Sequence, residues 1–321
     1  MNKIKRSGKL LKAAFAVLFR EKKLLFFPLV ATGLAAVMAL FFITPILLYP
    51  TGHSYFSAAH WSALAGRLAQ SFEASNHAPN QPVLPSKTGL MMLLSEHWWL
   101  TPFFAVAYFT SMFLATFSNV AFYHEIMQAL NGQTVSIRRG FRFACERWRA
   151  VLLWSLFAGL VGYLIQTLQE RLGIFGRLVT GLIGFVWSVA CIFIIPTLVR
   201  DTETSNPLKL LCNSAGTLKR TWGELIIGFA GLELAFGLIF MLYLLMVAVV
   251  AGVGGACFGL YFALWTALAG FVGMLLLAMP LSWISGVVNP VFRCALFIYA
   301  TEGVVPESFD KELLDSAWKV K

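Results

Sequence analysis

LAFGLIFMLYLLMVAVVAGVGGACFGLYFALWTALAGFVGMLLLAMPLSWISGVVNPVF, residues 234–292, runs for 59 residues without one Lys, Arg, Asp or Glu. Water cannot solvate so long an uncharged stretch, whereas hydrocarbon can. An α-helix rising about 1.5 Å per residue crosses an apolar core of about 30 Å in about 20 residues. The stretch is therefore too long for one ordinary crossing and enough for two long or three ordinary ones. Gly252, Gly254 and Gly255 read as a turn, and Pro280 and Pro290 read as kinks or a partial re-entry. The expectation is a fifth span over 225–251 and a broken or long sixth span over 256–300, in one segment or two.

Working outward, four further apolar runs supply spans at 24–48, 98–123, 151–168 and 178–199. Apolar residues make up 59% of the chain and charged residues only 12%, too few to clothe a water-facing globule of this length. The fold class is thus all-α, a polytopic transmembrane helical bundle forming a single membrane domain over 1–321, with about six spans. The first apolar run is long and lacks a small-residue cleavage site, so it reads as a retained span rather than a signal peptide. Cys145, Cys191, Cys212, Cys257 and Cys294 fall singly, which suggests neither a disulfide framework nor a zinc site.

The formal charge of +10 is concentrated between the apolar runs. Basic residues near span ends favour the cytoplasmic side. Lys3, Lys5, Arg6, Lys9, Lys12, Arg20, Lys22 and Lys23 precede span one; Arg138, Arg139, Arg142, Arg147 and Arg149 lie between spans two and three; Arg200, Lys209, Lys219 and Arg220 lie between four and five. These segments are expected to face the cytoplasm, together with the N-terminus and the tail 301–321, while the loop 49–97 faces outward. Such clustering points to anionic lipid headgroups rather than nucleic acid as the partner.

A gapless shift of 200 residues sets Lys9–Leu25 on Lys209–Leu225 and matches Lys9 with Lys209, Leu18 with Leu218 and Arg20 with Arg220. In the second copy Leu208, Leu211, Ala215, Leu218 and Trp222 form one apolar stripe at helical spacing. The segment before span three repeats the plan loosely. Basic amphipathic interfacial helices are thus expected over 3–23, 136–149 and 206–222, each leading into a membrane hairpin. In the outer loop, Phe56, His60, Leu64, Leu68 and Phe72 recur every four residues and predict an amphipathic helix over 54–72. Ser75–Lys87, with three prolines, reads as a linker.

The phrases Phe19-Arg-Glu-Lys-Lys-Leu-Leu-Phe-Phe-Pro-Leu, Pro196-Thr-Leu-Val, Leu218-Lys-Arg-Thr-Trp-Gly-Glu224 and Tyr299-Ala-Thr-Glu-Gly-Val-Val-Pro-Glu-Ser-Phe-Asp-Lys-Glu-Leu-Leu314 resemble a prokaryotic family of integral membrane proteins known only as a domain of unknown function. The resemblance covers nearly the whole chain except the outer loop. It implies a location in the prokaryotic cytoplasmic membrane and supplies no activity. The family pattern places an arginine between the two aromatics before the last phrase; Ile298 stands there in this chain, so no charge role carries over.

Within the apolar runs the informative residues are the polar ones. Glu233 lies inside span five, where a charge costs about 2.5 kcal/mol or more unless paired or hydrated. Arg293 is a candidate partner, and Asn289 a third polar group of the same intramembrane site. Lys9, Lys12, Arg20, Arg142, Arg149, Lys219, Arg220, Trp222 and Glu224 are candidate contacts for lipid headgroups or for docking. The histidines of the outer loop fit no metal-ligand spacing, so no metal is expected. No Walker loop, GxSxG, HExxH or paired catalytic carboxylates occur, so neither an enzyme nor a cofactor is expected.

Two functions compete. One is a scaffold or lipid-interacting accessory protein, with membrane lipids and a second copy or another membrane protein as partners. The other is a channel or carrier working through Glu233. Reporter fusions after Arg142 and after Arg220 are expected to report the same side of the membrane; opposite sides would undo the threefold plan.

Overall fold

The computed structural model describes residues 13–48, 51–76, 100–172, 174–202 and 205–304, with the side chains of 46, 67, 68, 70–76, 170, 171, 174, 175 and 220–236 left aside. Every regular element among the described residues is helical, and six helices are long and apolar enough to cross a membrane. Helix α1 (residues 13–20) turns through a 3-10 segment, Lys22–Leu25, into α2 (Phe26–Leu47). Then follow α3 (Ala58–Asn76), α4 (Leu100–Leu130), α5 (Ile137–Glu146) and α6 (Trp148–Arg171). The chain continues through α7 (Ile174–Ala190), α8 (Ile194–Arg200), α9 (Pro207–Phe258) and α10 (Leu260–Glu302).

Helix α4 is the centre of the bundle, packed against α2, α5, α6, α8 and α10. Burial is concentrated toward one end, at Val120–Tyr123 and Ile126–Leu130 of α4, Phe193, Ile194 and Leu198 around α8, and Val287–Ile298 of α10. Elsewhere the helices present apolar side chains outward, such as Leu178, Leu182 and Phe185 on α7 and Leu238, Met241 and Leu245 on α9. Apolar surface that extensive is stable only in lipid. The chain is a multi-pass membrane protein.

Several boundaries differ from the sequence expectation, each for a physical reason. The expected interfacial helix 206–222 and span five form one continuous helix, α9, of 52 residues. In the first copy of the repeat Pro28 stands in the opening turn of α2, and the chain breaks just before it; the aligned residue of the second copy is Gly228, which lets the helix run through. The expected turn at Gly252–Gly255 is also displaced. The corner is Gly259, with φ of 89°, a conformation open to glycine and strained for other residues. Gly255 instead permits close packing, since a Cβ there would sit 2.9 Å from the Ala263 Cβ.

Beyond the corner, α10 continues through Pro280 and Pro290 without a break, so the broken-span and re-entrant readings of 256–300 are withdrawn. Within an apolar bundle a proline inside a helix is tolerated because neighbouring groups satisfy the freed backbone. Span two extends past Tyr123 to Leu130, carrying His124 and Glu125 inside a helix expected to end before them. In the outer loop the helix begins at Ala58 rather than at 54. Phe56 lies outside it and is wholly exposed, so of the predicted stripe His60 and Leu64 are buried, while the side chains of Leu68 and Phe72 lie outside the description.

Span four is divided into α7 and α8 by a turn at residues 191–193. Pro196 supplies a cause: it has no N–H for the Ile192 carbonyl, and its ring crowds that carbonyl. The buried Ser214 of α9 repairs the gap. Its hydroxyl donates to the Ala190 carbonyl at 2.6 Å and accepts from the Phe193 N–H at 3.2 Å. Ser214→Ala strips the buried Phe193 N–H and the half-buried Ala190 carbonyl of this partner and is expected to cost about 1–3 kcal/mol. A fall in the thermal unfolding midpoint of the purified protein in detergent checks this; an unchanged midpoint refutes it.

Candidate functional site

At the buried end of the bundle, charged side chains join helices that are distant in sequence. Glu125, fully buried on α4, receives the Arg139 guanidinium through two bonds, Nε to Oε1 at 2.9 Å and Nη2 to Oε2 at 2.8 Å. The Ser136 N–H donates to Oε2 at 2.7 Å, so the same carboxylate occupies the N-terminus of α5, where helix amides favour an anion. A buried carboxylate is sustained only by full satisfaction of this kind. Gly140 makes the approach possible, because a Cβ there would lie 2.7 Å from the Ala121 carbonyl oxygen.

Around this pair the other chain ends are tied in. Arg20 donates to the Ala129 carbonyl at the end of α4, and Glu21 accepts from the Val135 N–H at 3.2 Å. The largely buried Arg147 donates to the Asp201 carbonyl at 2.8 Å; desolvation lowers its pKa, and Asp201 opposes that shift. Arg200 pairs with Glu302 at 2.6 Å and links α8 to the end of α10. These contacts bring residues 20–25, 125–147, 200–201 and 302 to one charged end.

The candidate contacts divide accordingly. Arg20, Arg142, Arg149 and Lys219 are exposed, with Arg142 held loosely by Glu146 at 3.7 Å and Arg149 resting 5.6 Å from the centre of the Trp148 ring. Lys9 and Lys12 lie outside the described residues, as do the side chains of Arg220, Trp222, Glu224 and Glu233. The pairing of Glu233 with Arg293 is therefore not among the described contacts. His60, read as a member of an apolar stripe, is tied to Thr51 Oγ1 at 2.6 Å and to the Leu47 carbonyl at 3.3 Å. Among the described residues no group of three His, Cys, Asp or Glu gathers at metal-binding distance.

Arg293 and Asn289, both expected to be site residues, line one cavity of about 980 Å³ between α2, α4, the α7–α8 turn and α10. Thr32 of α2, Ser118, Asn119 and Tyr123 of α4 and Ser282 and Ser285 of α10 also belong to its polar lining. Asn289 Nδ2 donates to Ser285 Oγ at 3.1 Å, and the Tyr123 hydroxyl meets the Arg293 guanidinium. Ser118 is 5% exposed, and its hydroxyl has no hydrogen-bond partner among the described residues. Leu29, Ile192, Ile195, Leu275, Met279 and Trp283 form apolar walls.

The Glu125 pair, Arg147 and Arg200 were missed as structural ties because a boundary charge ordinarily reads as solvated. The signal was the sequence His124-Glu125 followed at short range by Ser136-Ile-Arg-Arg139, a carboxylate and a guanidinium flanking one tight connection. Residues 99–306 match a family of unknown function, DUF6159, and the chain belongs to it. The match begins beyond the first span and the outer loop. Comparison with curated proteins and with solved structures gave no match.

Arg139→Ala leaves Glu125 buried without its counter-charge and is expected to cost about 3–5 kcal/mol. Arg142→Ala removes only an exposed helix pair and is expected to cost at most about 0.5 kcal/mol. Unfolding midpoints of the two variants, measured side by side, should differ in that order.

Proposed function

We propose that this is a non-enzymatic protein of the prokaryotic cytoplasmic membrane, acting as a scaffold or lipid-interacting accessory protein. Its two termini lie in the cytoplasm, and its charged end sits in the inner headgroup layer. The observation that carries this reading is the gathering of basic segments at one end of the bundle. There Arg139, Arg147 and Arg200 are engaged in structural bonds, the first two turned inward, while Arg138, Arg142, Arg149 and Lys209, with Arg20 beside its bond to Ala129, are exposed. Cations arranged in this way attract anionic headgroups with about 1 kcal/mol per residue near the surface. Residues 13–20, α5 and the first turns of α9 would then be the interfacial helices, and the exposed apolar faces would meet lipid or a second membrane protein.

The alternative, a channel or carrier, has in its favour the cavity lined by Asn289 and Arg293. Beyond Tyr123 and Arg293, toward the charged end, however, Ile126, Ala295 and Phe297 are buried, which favours binding over passage.

The test is lipid enrichment. Polymer-excised native membrane discs holding the protein should carry more anionic lipid than the bulk membrane, and Arg138→Gln, Arg142→Gln and Arg149→Gln combined should reduce the excess. Discs matching the bulk composition would remove the proposal.

A further inference from the structure

The cavity between α2, α4 and α10 has a composition that the surface reading does not use. Its described lining holds one formal charge, the Arg293 guanidinium, and no carboxylate. The same lining carries groups able to hydrogen-bond an anionic oxygen: the Tyr123 hydroxyl, which meets Arg293, the Asn119 and Asn289 amides and the Ser118 hydroxyl. Ser118 is the telling member. A serine inside a helix ordinarily satisfies itself on the carbonyl one turn back, and a buried hydroxyl left without a partner is costly. Its oxygen is buried and unbonded among the described residues, and the residue itself lines a space large enough to hold a partner.

Polarity also changes along the cavity. Arg293 lies nine residues before Glu302, about 14 Å from the charged end, whereas Leu275 lies a further 18 residues, about 27 Å, along the same helix. At the near end sit Arg293, Tyr123 and Asn289; at the far end sit Leu275, Ala278 and Met279. Leu29 on α2, with Met279 and Trp283 on α10, is exposed, so the cavity opens sideways between those two helices. A site with a cationic, donor-rich base, an apolar upper wall and a lateral opening matches one chemical shape, an anionic head on a hydrocarbon tail. A free inorganic anion would fill the base and leave the apolar length unused. The size, near the upper limit of ordinary ligand pockets, also exceeds what a small anion needs.

We infer that this cavity is a binding site for an anionic amphiphile. Its phosphate or carboxylate lies against Arg293, Tyr123 and Ser118, and its chain lies along Leu275, Met279 and Trp283. The site stands independently of the basic surface, since none of the exposed basic residues lines it.

The experiment uses the full-length protein in phosphatidylcholine nanodiscs doped with phosphatidic acid whose acyl chain carries a diazirine. Irradiation is expected to label the α10 segment around Met279 and Trp283 about tenfold more than an equal dose of diazirine phosphatidylcholine does, a ratio suited to one charge-assisted contact. Arg293→Lys should keep the preference and Arg293→Gln should lose it. Ser285→Phe, which fills the cavity without altering its charge, should abolish labelling in protein whose unfolding midpoint is unchanged. If Arg293→Gln fails to fold, Ser285→Phe and the two-lipid comparison decide alone. Equal labelling by the two lipids, or labelling undiminished by Ser285→Phe, overturns the inference. Displacement of the anionic lipid by millimolar inorganic phosphate also overturns it and assigns the base to a soluble anion. Because the basic surface stays intact in every variant, failure here leaves the lipid-enrichment result untouched.

Discussion

Removing Glu125 from water is the constraint around which the charged end is built. A carboxylate at 0% exposure is tolerable only if its oxygens are occupied, and they are, by Arg139 and by the Ser136 amide. Those two partners fix the connection from α4 to α5 and orient the start of α5. Because α4 touches nearly every other span, the connection it anchors also sets where Arg20, Glu21 and Arg147 find their own partners. Gly140 belongs to the same device, since any side chain there would push α5 off α4 and pull Arg139 away from its carboxylate.

Much of the bundle was legible in advance, because charge-free length is a direct measure of what hydrocarbon will accept. Spans one to four appear where charges stop. Their ends were less legible: α4 runs on past Tyr123 because Glu125 is neutralised by Arg139, 14 positions away, a pairing that span hydropathy alone does not register. Glycine misled at 252–255 for a related reason. In a lipid-facing helix pair small residues allow close contact, as Gly255 does with Ala263, while the corner falls at Gly259. Arg293 and Asn289 were visible as polar interruptions of an apolar run. Their convergence with Ser118 and Tyr123 depends on α10 packing beside α4, which one-dimensional spacing does not encode.

The repeat at a shift of 200 residues takes on a definite meaning in three dimensions. Both copies place a basic stretch before a span, yet the first bends at Glu21 and the second continues without interruption as one helix. Among the differences between the copies, Pro28 against Gly228 is the one that bears on helix continuity. The bent copy brings Arg20 and Glu21 back onto α4, whereas the uninterrupted copy lays Ser214 across the α7–α8 break. Similar sequences are thus used for two kinds of repair, one at a helix end and one in mid-span.

The corner between α9 and α10 has a bearing on biogenesis. Cys257-Phe258-Gly259-Leu260-Tyr261 reverses the chain with one glycine and no charged residue, so the tip of this hairpin carries nothing that resists entry into hydrocarbon. Translocation of a hydrophilic loop, the slow and energetically uphill step for most helical pairs, is absent at this corner. An uncharged tip of this kind removes the cost of carrying charge into the apolar layer from the insertion of the pair.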